Sequence, residues 1–432
     1  MGETRIRFRG KTFLQPGPGP GRSHGRKRRT RELTEDPRED RELVLRCLKN
    51  DQAAYRRLLE KYRRPVYGIV RRMIPDDEDA REVQRVLLSG QLAQDGEVAR
   101  FESRMASFVG VRGAVAVSSG SAALQLALMA LKVGPGDEVL VPSYVCPAVL
   151  NAVLHTGASP VVADIEPATF NLSAGDAMRR ITPKTRAVIV PHMFGQPADL
   201  DALGALGVPV VEDLAMSLGS RRRGKRAGGF GSLAVCSFYA TKMMATGEGG
   251  MVLGGNEALL AEVRDLRAMD EKEEFRVRFN CKMTDLQAAL GLSQLRKLAG
   301  FIARRREIAD LYGDTLRRLS LPAPPAPAEC EPVWYRYVLM LDGDAEPFIE
   351  EMRRRGVECR RPVYKPLHRY LRLSGFEASE EAWRRAVSVP LYPALSVAEV
   401  ETIVKALRLV LPKHCTGREQ EKRTLGQASS TC

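Results

Sequence analysis

V-C-S-F-Y-A-T-K-M-M-A-T-G-E-G-G, residues 235–250, joins an apolar strand-like run to a glycine-rich turn through one lysine, Lys242. Ser237 lies five residues before that lysine, so a hydroxyl and an amine follow the same predicted strand. An amine attacks an aldehyde only after it loses its proton, which requires a site that lowers the ordinary lysine pKa of about 10.4. Taken alone, Lys242 fits two interpretations: a surface lysine in a loop, or a lysine that forms a Schiff base with a phosphorylated aldehyde cofactor.

Short apolar runs alternate with helix-like segments on both sides of this stretch. Helices are predicted at 97–108, 122–131 and 146–155, and strands at 114–117, 138–141, 160–163, 186–190, 208–212, 233–238 and 250–253. Because most of these strands are near-continuous runs of Val, Ala and Ile, the pattern predicts an α/β fold with a mostly parallel sheet covered by helices on both faces. Sheets of this kind bind ligands at the carboxyl ends of their strands.

The composition divides the chain into five segments. Residues 1–38 form a basic, Pro/Gly-rich tail that we expect to be disordered, and 39–82 have helical spacing of apolar residues. Residues 83–320 form a large α/β domain that ends in a long helix over 285–319. A small α+β domain follows over 321–412, beginning with a Pro-rich linker, and 413–432 form a second disordered tail.

Charge and composition restrict the possible partners and the compartment. The net charge of the 432 residues is +14, but most of the positive excess lies in residues 1–80 and 413–432, so the body of the protein shows no nucleic-acid-binding pattern. No apolar run reaches the about 18 residues of a membrane span, and the start does not resemble a secretory signal. The eight cysteines form no C-x-x-C pair. We therefore expect a cytoplasmic protein with reduced thiols, no membrane contact and no metal site.

Polar residues follow three further predicted elements, and each has a structural alternative. Gly120 and Ser121, in S-S-G-S-A-A at 118–123, could bind a phosphate at a helix start, although small residues are common in such turns. Asp213 ends the strand V-V-E-D and could cap a helix or pair with a pyridinium nitrogen. Asn280, in R-F-N-C-K-M-T-D at 278–285, could be an ordinary residue of a helix-start turn.

The order and spacing of these motifs resemble the DegT/StrS-type sugar-nucleotide aminotransferases, which are fold type I pyridoxal 5'-phosphate (PLP) enzymes. The resemblance runs from about residue 89 to about residue 412. It also includes S-G-Q-L-A-Q-D-G-E-V-A-R-F-E at 89–102, G-P-G-D-E-V at 134–139, V-P-H-M-F-G at 190–195, M-T-D-L-Q-A-A at 283–289 and V-P-L-Y-P at 389–393.

The resemblance implies a cofactor, a partner and residue roles. Lys242 would bind the aldehyde of PLP and move the reacting proton, and Asp213 would hold the pyridine nitrogen. The cofactor phosphate would be held by Gly120, Ser121 and Ser237. Asn280 would reach the cofactor of the second subunit in a homodimer with a shared active site. The expected reaction transfers the amino group of glutamate to a keto-sugar nucleotide, for cell-surface polysaccharide or deoxyaminosugar biosynthesis.

Some positions depart from the family pattern. Met216 stands where Gln or His commonly contacts the cofactor's phenolic oxygen, and Cys146 stands where an aromatic ring often stacks on the cofactor. The motif P-V-Y-K-P-L-H at 362–368 lies where family members place substrate-facing groups, so Tyr364, Lys365 and His368 are candidate substrate contacts, with a structural role as the alternative. Amination of a small non-sugar ketone, such as an inositol derivative, remains open.

Residues 39–82 carry a second resemblance, to the first part of the polymerase-binding region 2 of an extracytoplasmic-function sigma factor. The matching runs are D-R-E-L-V at 40–44, L-K-N-D-Q-A-A-Y at 48–55 and D-E-D-A at 77–80. The promoter-reading segments of such factors are absent. Four interpretations stay open: a two-helix appendage, a retained RNA polymerase contact, a gene fusion and a mis-joined reading frame. The polymerase contact would allow an alternative function, a non-catalytic or regulatory dimer with the PLP fold.

Overall fold

The computed structural model describes residues 37–47, 51, 53–54, 57–58 and 76–415, in two compact units that divide between Tyr62 and Arg63. In the first unit, helix α1 (Pro37–Cys47) buries Leu43. Asp51 accepts hydrogen bonds from the backbone N–H groups of Ala53 and Ala54, both at 3.0 Å, as a helix cap does. Most of the tails predicted to be disordered lies outside the described residues.

The second unit is built on a seven-stranded sheet with the order β1-β9-β8-β5-β4-β2-β3. Its strands are β1 (Gly113–Val117), β2 (Glu138–Pro142), β3 (Ser159–Ala163), β4 (Thr185–Pro191), β5 (Val210–Asp213), β8 (Leu233–Ser237) and β9 (Gly250–Gly254). The prediction of a mostly parallel sheet is confirmed: β9 runs antiparallel to β1 and β8, and the other pairs are parallel. Two short pairings lie outside this sheet, β6 (Arg221–Arg222) with β7 (Lys225–Arg226) and β10 (Cys330–Glu331).

Both faces of the sheet are buried, as continuous apolar strands predict. Val115 and Val117 point into one core and Ala114 and Ala116 into the other, because successive side chains of a strand alternate. The covering helices are α3 (Gly96–Val109), α4 (Gly120–Ala130), α5 (Pro147–His155), α6 (Ala174–Arg180), α7 (Leu200–Gly204) and α8 (Glu257–Leu266).

An additional helix, α2 (Asp77–Ser89), packs against the long helix α9 (Asp285–Arg318). Lys297 of α9 contacts Asp76 and Asp79, while Arg296 contacts Glu78 and Glu82. Helix α2 therefore crosses the predicted boundary between residues 82 and 83, and its acidic first turn pairs with basic residues of the α/β body.

The C-terminal part has its own apolar core. Strands β11 (Tyr337–Met340) and β12 (Ala386–Val389) pair antiparallel. Helices α10 (Ala345–Arg354) and α13 (Val397–His414) pack into this core, while α11 (Leu367–Leu371) and α12 (Glu377–Arg385) contribute Leu367 and Ala382 to a core of the large sheet. The long α13 starts with a capping box made by Ser396 and Glu399. Within the described residues, every helix is too short or too polar to span a bilayer.

Candidate active site

Lys242 lies in the loop that joins β8 to β9, at the carboxyl end of β8. The loop is fixed at its base, where Phe238 N donates to the Gly249 carbonyl and Thr246 N donates to the Phe238 carbonyl, both at 2.8 Å. Lys242 itself is half-buried, and its Nζ lies 5.7 Å from the centroid of the Tyr335 ring. In the described part of the chain this amine makes no hydrogen bond or ion pair, so it remains available to react.

Asp213 is the last residue of β5, the strand beside β8. Its Oδ1 accepts one hydrogen bond, from Ala215 N at 2.9 Å, and its other oxygen accepts none from the residues that the structure describes. Burial raises the pKa of Asp213, and the Ala215 N–H and the positive charge of Lys242 only partly offset this effect. A cationic hydrogen-bond donor placed against the free oxygen would stabilise the ionised carboxylate.

A third group of residues lies where the ends of β1, β8 and β9 meet. Ser119 caps α4 by accepting a hydrogen bond from Ala122 N at 3.1 Å, and the N–H groups of Gly120 and Ser121 stay free of partners among the described residues. A Cβ at position 120 would lie 2.6 Å from Ser237 Cβ, and one at Gly250 would overlap the Ser119 carbonyl oxygen. Glycine at both positions lets the Ser237 hydroxyl approach the start of α4, which is a favourable place for a phosphate.

These three groups fit PLP. The amine suits the aldehyde, the buried carboxylate suits a protonated ring nitrogen, and the helix start with its hydroxyls suits the phosphate dianion. The charge of Lys242 partly offsets the raised pKa of Asp213, and the charges of Asp213 and Lys242 both reach the Cys146 thiol, so the three side chains lie near one another. The sequence-predicted residues Lys242, Asp213, Gly120, Ser121 and Ser237 therefore converge at one edge of the sheet.

The two unusual residues at this edge differ in what they can offer a ligand. Cys146 precedes α5 and is accessible, yet the surrounding protein and the charge of Asp213 raise its pKa, so its thiol is protonated at neutral pH. Met216 is half-buried and packs against the apolar cores on both faces of the sheet. A thioether is a weak acceptor and no donor, so Met216 can give a ligand van der Waals contact but no strong hydrogen bond.

Asn280 does not join this group within its own chain. The backbone of its neighbour Cys281 is fixed at both ends: Cys281 N donates to the Arg267 carbonyl at 3.0 Å, and the Cys281 carbonyl accepts from Ser118 N at 2.8 Å, next to the phosphate-binding turn. The Asn280 side chain itself is exposed and has no hydrogen-bond partner among the described residues.

The three candidate substrate contacts of the small domain, Tyr364, Lys365 and His368, occupy different environments. Tyr364 is 87% exposed, and Lys365 Nζ lies 4.5 Å from the Tyr370 ring centroid. His368, in contrast, is 2% exposed, and both of its ring nitrogens are engaged, with Ser143 Oγ at 2.5 Å and Glu380 Oε1 at 2.6 Å. The structure thus corrects the expectation for His368: it braces the segment after β2 and presents no free ring nitrogen to a substrate.

His192 is also structural in its placement. Its Nε2 donates to Glu212 Oε2 at 3.1 Å, and its Nδ1 accepts a hydrogen bond from Ala198 N at 3.0 Å. Burial tends to raise the pKa of Glu212, but His192 and the N–H groups of Gly231 and Gly228 outweigh it, so the pKa lies below its usual value. This buried cluster supports the strand that carries Asp213.

Sequence reasoning missed one part of the site, the segment from Trp334 to Arg336. The Tyr335 ring lies 5.7 Å from Lys242 Nζ, 5.5 Å from Arg336 Cζ and 6.0 Å from Arg305 Cζ, so three cations surround it. The signal was the aromatic run V-W-Y-R-Y at 333–337, which directly follows the Pro-rich linker. Its position beside Lys242 depends on Gly195, where a Cβ would lie 2.8 Å from Tyr335 N.

Comparison with known proteins adds independent findings. The model of the DegT/DnrJ/EryC1/StrS aminotransferase family matches residues 74–408. The chain is 34% identical over 334 residues to the GDP-perosamine synthase of Caulobacter vibrioides. This alignment covers 73% of this chain and 90% of that protein. The aminotransferase TlmJ from Streptoalloteichus hindustanus matches in structure with a TM-score of 0.74 and 34% identity, covering 78% of this chain and 97% of TlmJ. The PLP-form of the putative sugar aminotransferase Spr1654 from Streptococcus pneumoniae gives a TM-score of 0.73 at 26% identity, with 78% and 97% coverage.

The family match begins at residue 74 and leaves most of segment 39–82 outside it, so the resemblance of that segment to a sigma factor gains no support. Over the rest of the chain, the matched solved structures share the overall fold, with TM-scores of 0.74 and 0.73. The chain therefore belongs to the DegT/DnrJ/EryC1/StrS aminotransferase family, and it is a PLP-dependent aminotransferase of fold type I.

Proposed function

We propose that this protein transfers an amino group from glutamate to a keto-sugar nucleotide in the biosynthesis of a polysaccharide or an amino sugar. The observation that carries the proposal is the convergence of Lys242, Asp213 and the start of α4, which leaves an amine, a carboxylate oxygen and two N–H groups without partners in the described residues. The similarity to a GDP-perosamine synthase supports a nucleotide-linked sugar as the acceptor.

Each of these residues has a task that its position suits. PLP, when bound, supplies a ring that withdraws electrons from the carbon that loses its proton. Asp213 keeps a proton on the ring nitrogen, since its ionised form is otherwise poorly solvated. Gly120, Ser121 and Ser237 anchor the phosphate, and the charge of the phosphate suits the positive end of α4. Lys242 Nζ would take the proton from the amino donor's α-carbon and deliver it to the aldehyde carbon of the cofactor, because its loop holds it at the end of β8.

The proposal includes a homodimer whose subunits share their active sites. The segment before α9 supports it: Asn280 is exposed, and so are the large apolar side chains of Met269, Phe275 and Val277. Exposed apolar residues so close together in sequence indicate a protein contact. A second copy of the chain would cover them and would receive Asn280 near its own cofactor site.

A spectroscopic experiment tests the catalytic proposal. The purified protein with added PLP should absorb in the violet or near-ultraviolet, and borohydride should fix the cofactor covalently to Lys242, which peptide mapping would show. Glutamate should then shift the spectrum, and a keto-sugar nucleotide should reverse the shift. The matched control is Lys242→Ala, which keeps the phosphate-binding residues but lacks the amine.

A wild-type protein that binds PLP but shows no shift with any amino donor would refute the proposal. That result would favour the non-catalytic alternative. A shift that a small cyclic ketone reverses, and that sugar nucleotides do not, would refute the proposed acceptor alone. Sedimentation of the full chain tests the dimer, and a monomer at micromolar concentration would contradict it.

A further inference from the structure

We infer that Arg336 binds the α-carboxylate of the amino-acid donor beside Lys242; this inference rests on the proposed function and assigns the donor subsite within it. Arg336 precedes β11, and its backbone N–H donates to the Phe194 carbonyl at 3.3 Å, which ties it to the loop after β4. The residue thus belongs to the small domain by sequence, while it contacts the carboxyl edge of the large sheet.

Arg336 and Lys242 both lie near the ring of Tyr335. The Arg336 guanidinium carbon lies 5.5 Å from the Tyr335 ring centroid, and Lys242 Nζ lies 5.7 Å from the same centroid. The charge of Arg336 also reaches Tyr144, which is in the segment that leads to Cys146. Burial raises the pKa of Tyr144, and the charges of Arg361 and Arg336 partly offset that effect. Arg336 therefore lies between the lysine side of the site and the segment after β2.

The charge of Arg336 has no counter-ion in the described part of the chain. The side chain is half-buried, and its hydrogen bond is a long one, from Nη1 to Ser388 Oγ at 3.4 Å. Three other arginines with little exposure are paired with acids: Arg222 with Asp199, Asp201 and Glu329, Arg267 with Glu102, and Arg278 with Asp265. A partly desolvated guanidinium without an acid is unfavourable unless a ligand supplies the negative charge.

A second cation near the Tyr335 ring, Arg305, makes the binding of an anion there more favourable. Arg305 is buried, and its Nη1 donates to the carbonyls of Trp334, Tyr335 and Leu391. Burial lowers the pKa of Arg305 to about 10, which shows how poorly this region solvates positive charge. Because Arg305 is enclosed by backbone, Arg336 is the member of the pair whose nitrogen atoms can reach a ligand.

Chemistry favours a carboxylate of the donor over the diphosphate of a sugar nucleotide. The α-carboxylate is one bond from the carbon that carries the donor's amine, so it must lie near Lys242 when that amine reacts. The diphosphate is attached at C1 of the sugar, across the ring from the carbonyl of a 4-keto sugar and two ring bonds from the carbonyl of a 3-keto sugar. A guanidinium can bind a carboxylate through two parallel hydrogen bonds, which also fixes the orientation of the α-carbon.

The test separates the two half-reactions in the PLP-loaded enzyme. Arg336→Gln removes the charge, Arg336→Lys keeps it without the planar fork, and Arg408→Gln is the control, since Arg408 is an exposed arginine of α13. Rapid mixing with L-glutamate gives the half-saturating concentration and the maximal rate of the spectral change. We expect Arg336→Gln to raise the half-saturating concentration about 10- to 100-fold, as for a lost hydrogen bond to a charged group, with a smaller effect on the maximal rate. Arg336→Lys should lie in between, and Arg408→Gln should match the wild type.

Binding of glutarate, a dicarboxylate that cannot react, supplies a readout independent of turnover. Calorimetry should show its affinity weakened by the same factor in Arg336→Gln and unchanged in Arg408→Gln. Unchanged glutamate and glutarate affinities in a folded Arg336→Gln protein would overturn the inference. Weakening confined to the sugar half-reaction would also overturn it, because the anion would then belong to the sugar substrate. If the wild type showed no spectral change with glutamate, the proposed function would fail, and glutarate binding would still decide the role of Arg336.

Discussion

Gly120→Ala adds one Cβ atom to the phosphate-binding turn and tests whether the start of α4 must lie close to Ser237. Gly120 is the first residue of α4 and has no left-handed backbone conformation, so an alanine there is conformationally acceptable and would tend to stabilise the chain by about 0.4–1 kcal/mol. The added Cβ, however, would lie 2.6 Å from Ser237 Cβ and 3.0 Å from Ser237 Oγ. Carbon atoms pack at about 3.5–4.0 Å, so the start of α4 and the end of β8 must separate by about 1 Å.

The magnitude follows from this displacement. Overpacking of this kind costs about 1–3 kcal/mol, which exceeds the backbone gain, so apo Gly120→Ala should unfold at a lower temperature than the wild type. The same separation moves the Ser237 hydroxyl away from the N–H groups of Gly120 and Ser121. Loss of one hydrogen bond to the charged phosphate should weaken PLP binding by about 10- to 100-fold.

The assay is titration of the apo protein with PLP, followed by absorbance, together with thermal unfolding of each apo variant. Gly134→Ala is the matched control, because its new Cβ would have no neighbour within 4 Å and its backbone conformation also accepts alanine. The double variant Gly120→Ala/Ser237→Gly removes the closest clashing atom, so it should recover part of the apo stability without recovering PLP affinity. Wild-type PLP affinity and stability in Gly120→Ala would refute this description of the turn.

Three further changes test the charges around the site. Burial raises the pKa of Asp213, so the favourable protonated form is lost as the pH rises through the folded-state pKa. Apo Asp213→Asn should therefore unfold at a higher temperature than the apo wild type at pH 7. Its turnover with PLP should nevertheless fall at least about 100-fold, as for a broken buried charge pair. The pKa of Glu212 is lowered, so its contribution to the free energy of unfolding is present above the ordinary pKa of 4.5 and is lost as the pH falls. Glu212→Gln should therefore destabilise the protein by about 3 kcal/mol in denaturant titrations at pH 7, and by less in acid. Glu380, which binds Arg369 and His368, has its pKa lowered to about 2, so Glu380→Gln should remove part of the stability that the wild type loses between pH 4.5 and pH 2, and identical acid-unfolding curves would contradict this.

Much of the fold was accessible from the sequence because its strands are apolar runs with polar ends. The predicted strand at 114–117 and the long helix at 285–319 differ from β1 and α9 by one residue at an end. Strand direction was less accessible, since side-chain pattern does not record it. The antiparallel course of β9 follows from the loop that carries Lys242, which contains no crossover helix. Helix α8 was missed even though Asn256 caps it through two hydrogen bonds, a readable N-terminal signal.

The site was predictable where its residues follow strands directly. Lys242, Asp213 and Gly120 lie at strand ends that a parallel sheet brings to one edge, so their convergence needed no knowledge of long-range packing. Arg336 and His368 depend on how the small domain packs against that edge. The sequence placed His368 in a motif, but its burial under Phe376, stacked at 5.0 Å, and its bond to Ser143 are set by tertiary structure.

Glu212 and Asp213 are neighbours on β5, yet their environments shift their pKa values in opposite directions. The alternation of the strand directs Glu212 to one face, where His192 and the N–H groups of Gly228, Phe230 and Gly231 satisfy both oxygens. Asp213 faces the lysine loop and receives a single N–H. Glu212, whose oxygens are both hydrogen-bonded, stabilises the fold, whereas Asp213 has an oxygen without a partner among the described residues, which fits the proposed pairing with a cation. The same reasoning applies to Lys242 and Arg336, whose charges lack counter-ions in the described chain, so a cofactor and a carboxylate substrate together would complete the charge pairing at this edge of the sheet.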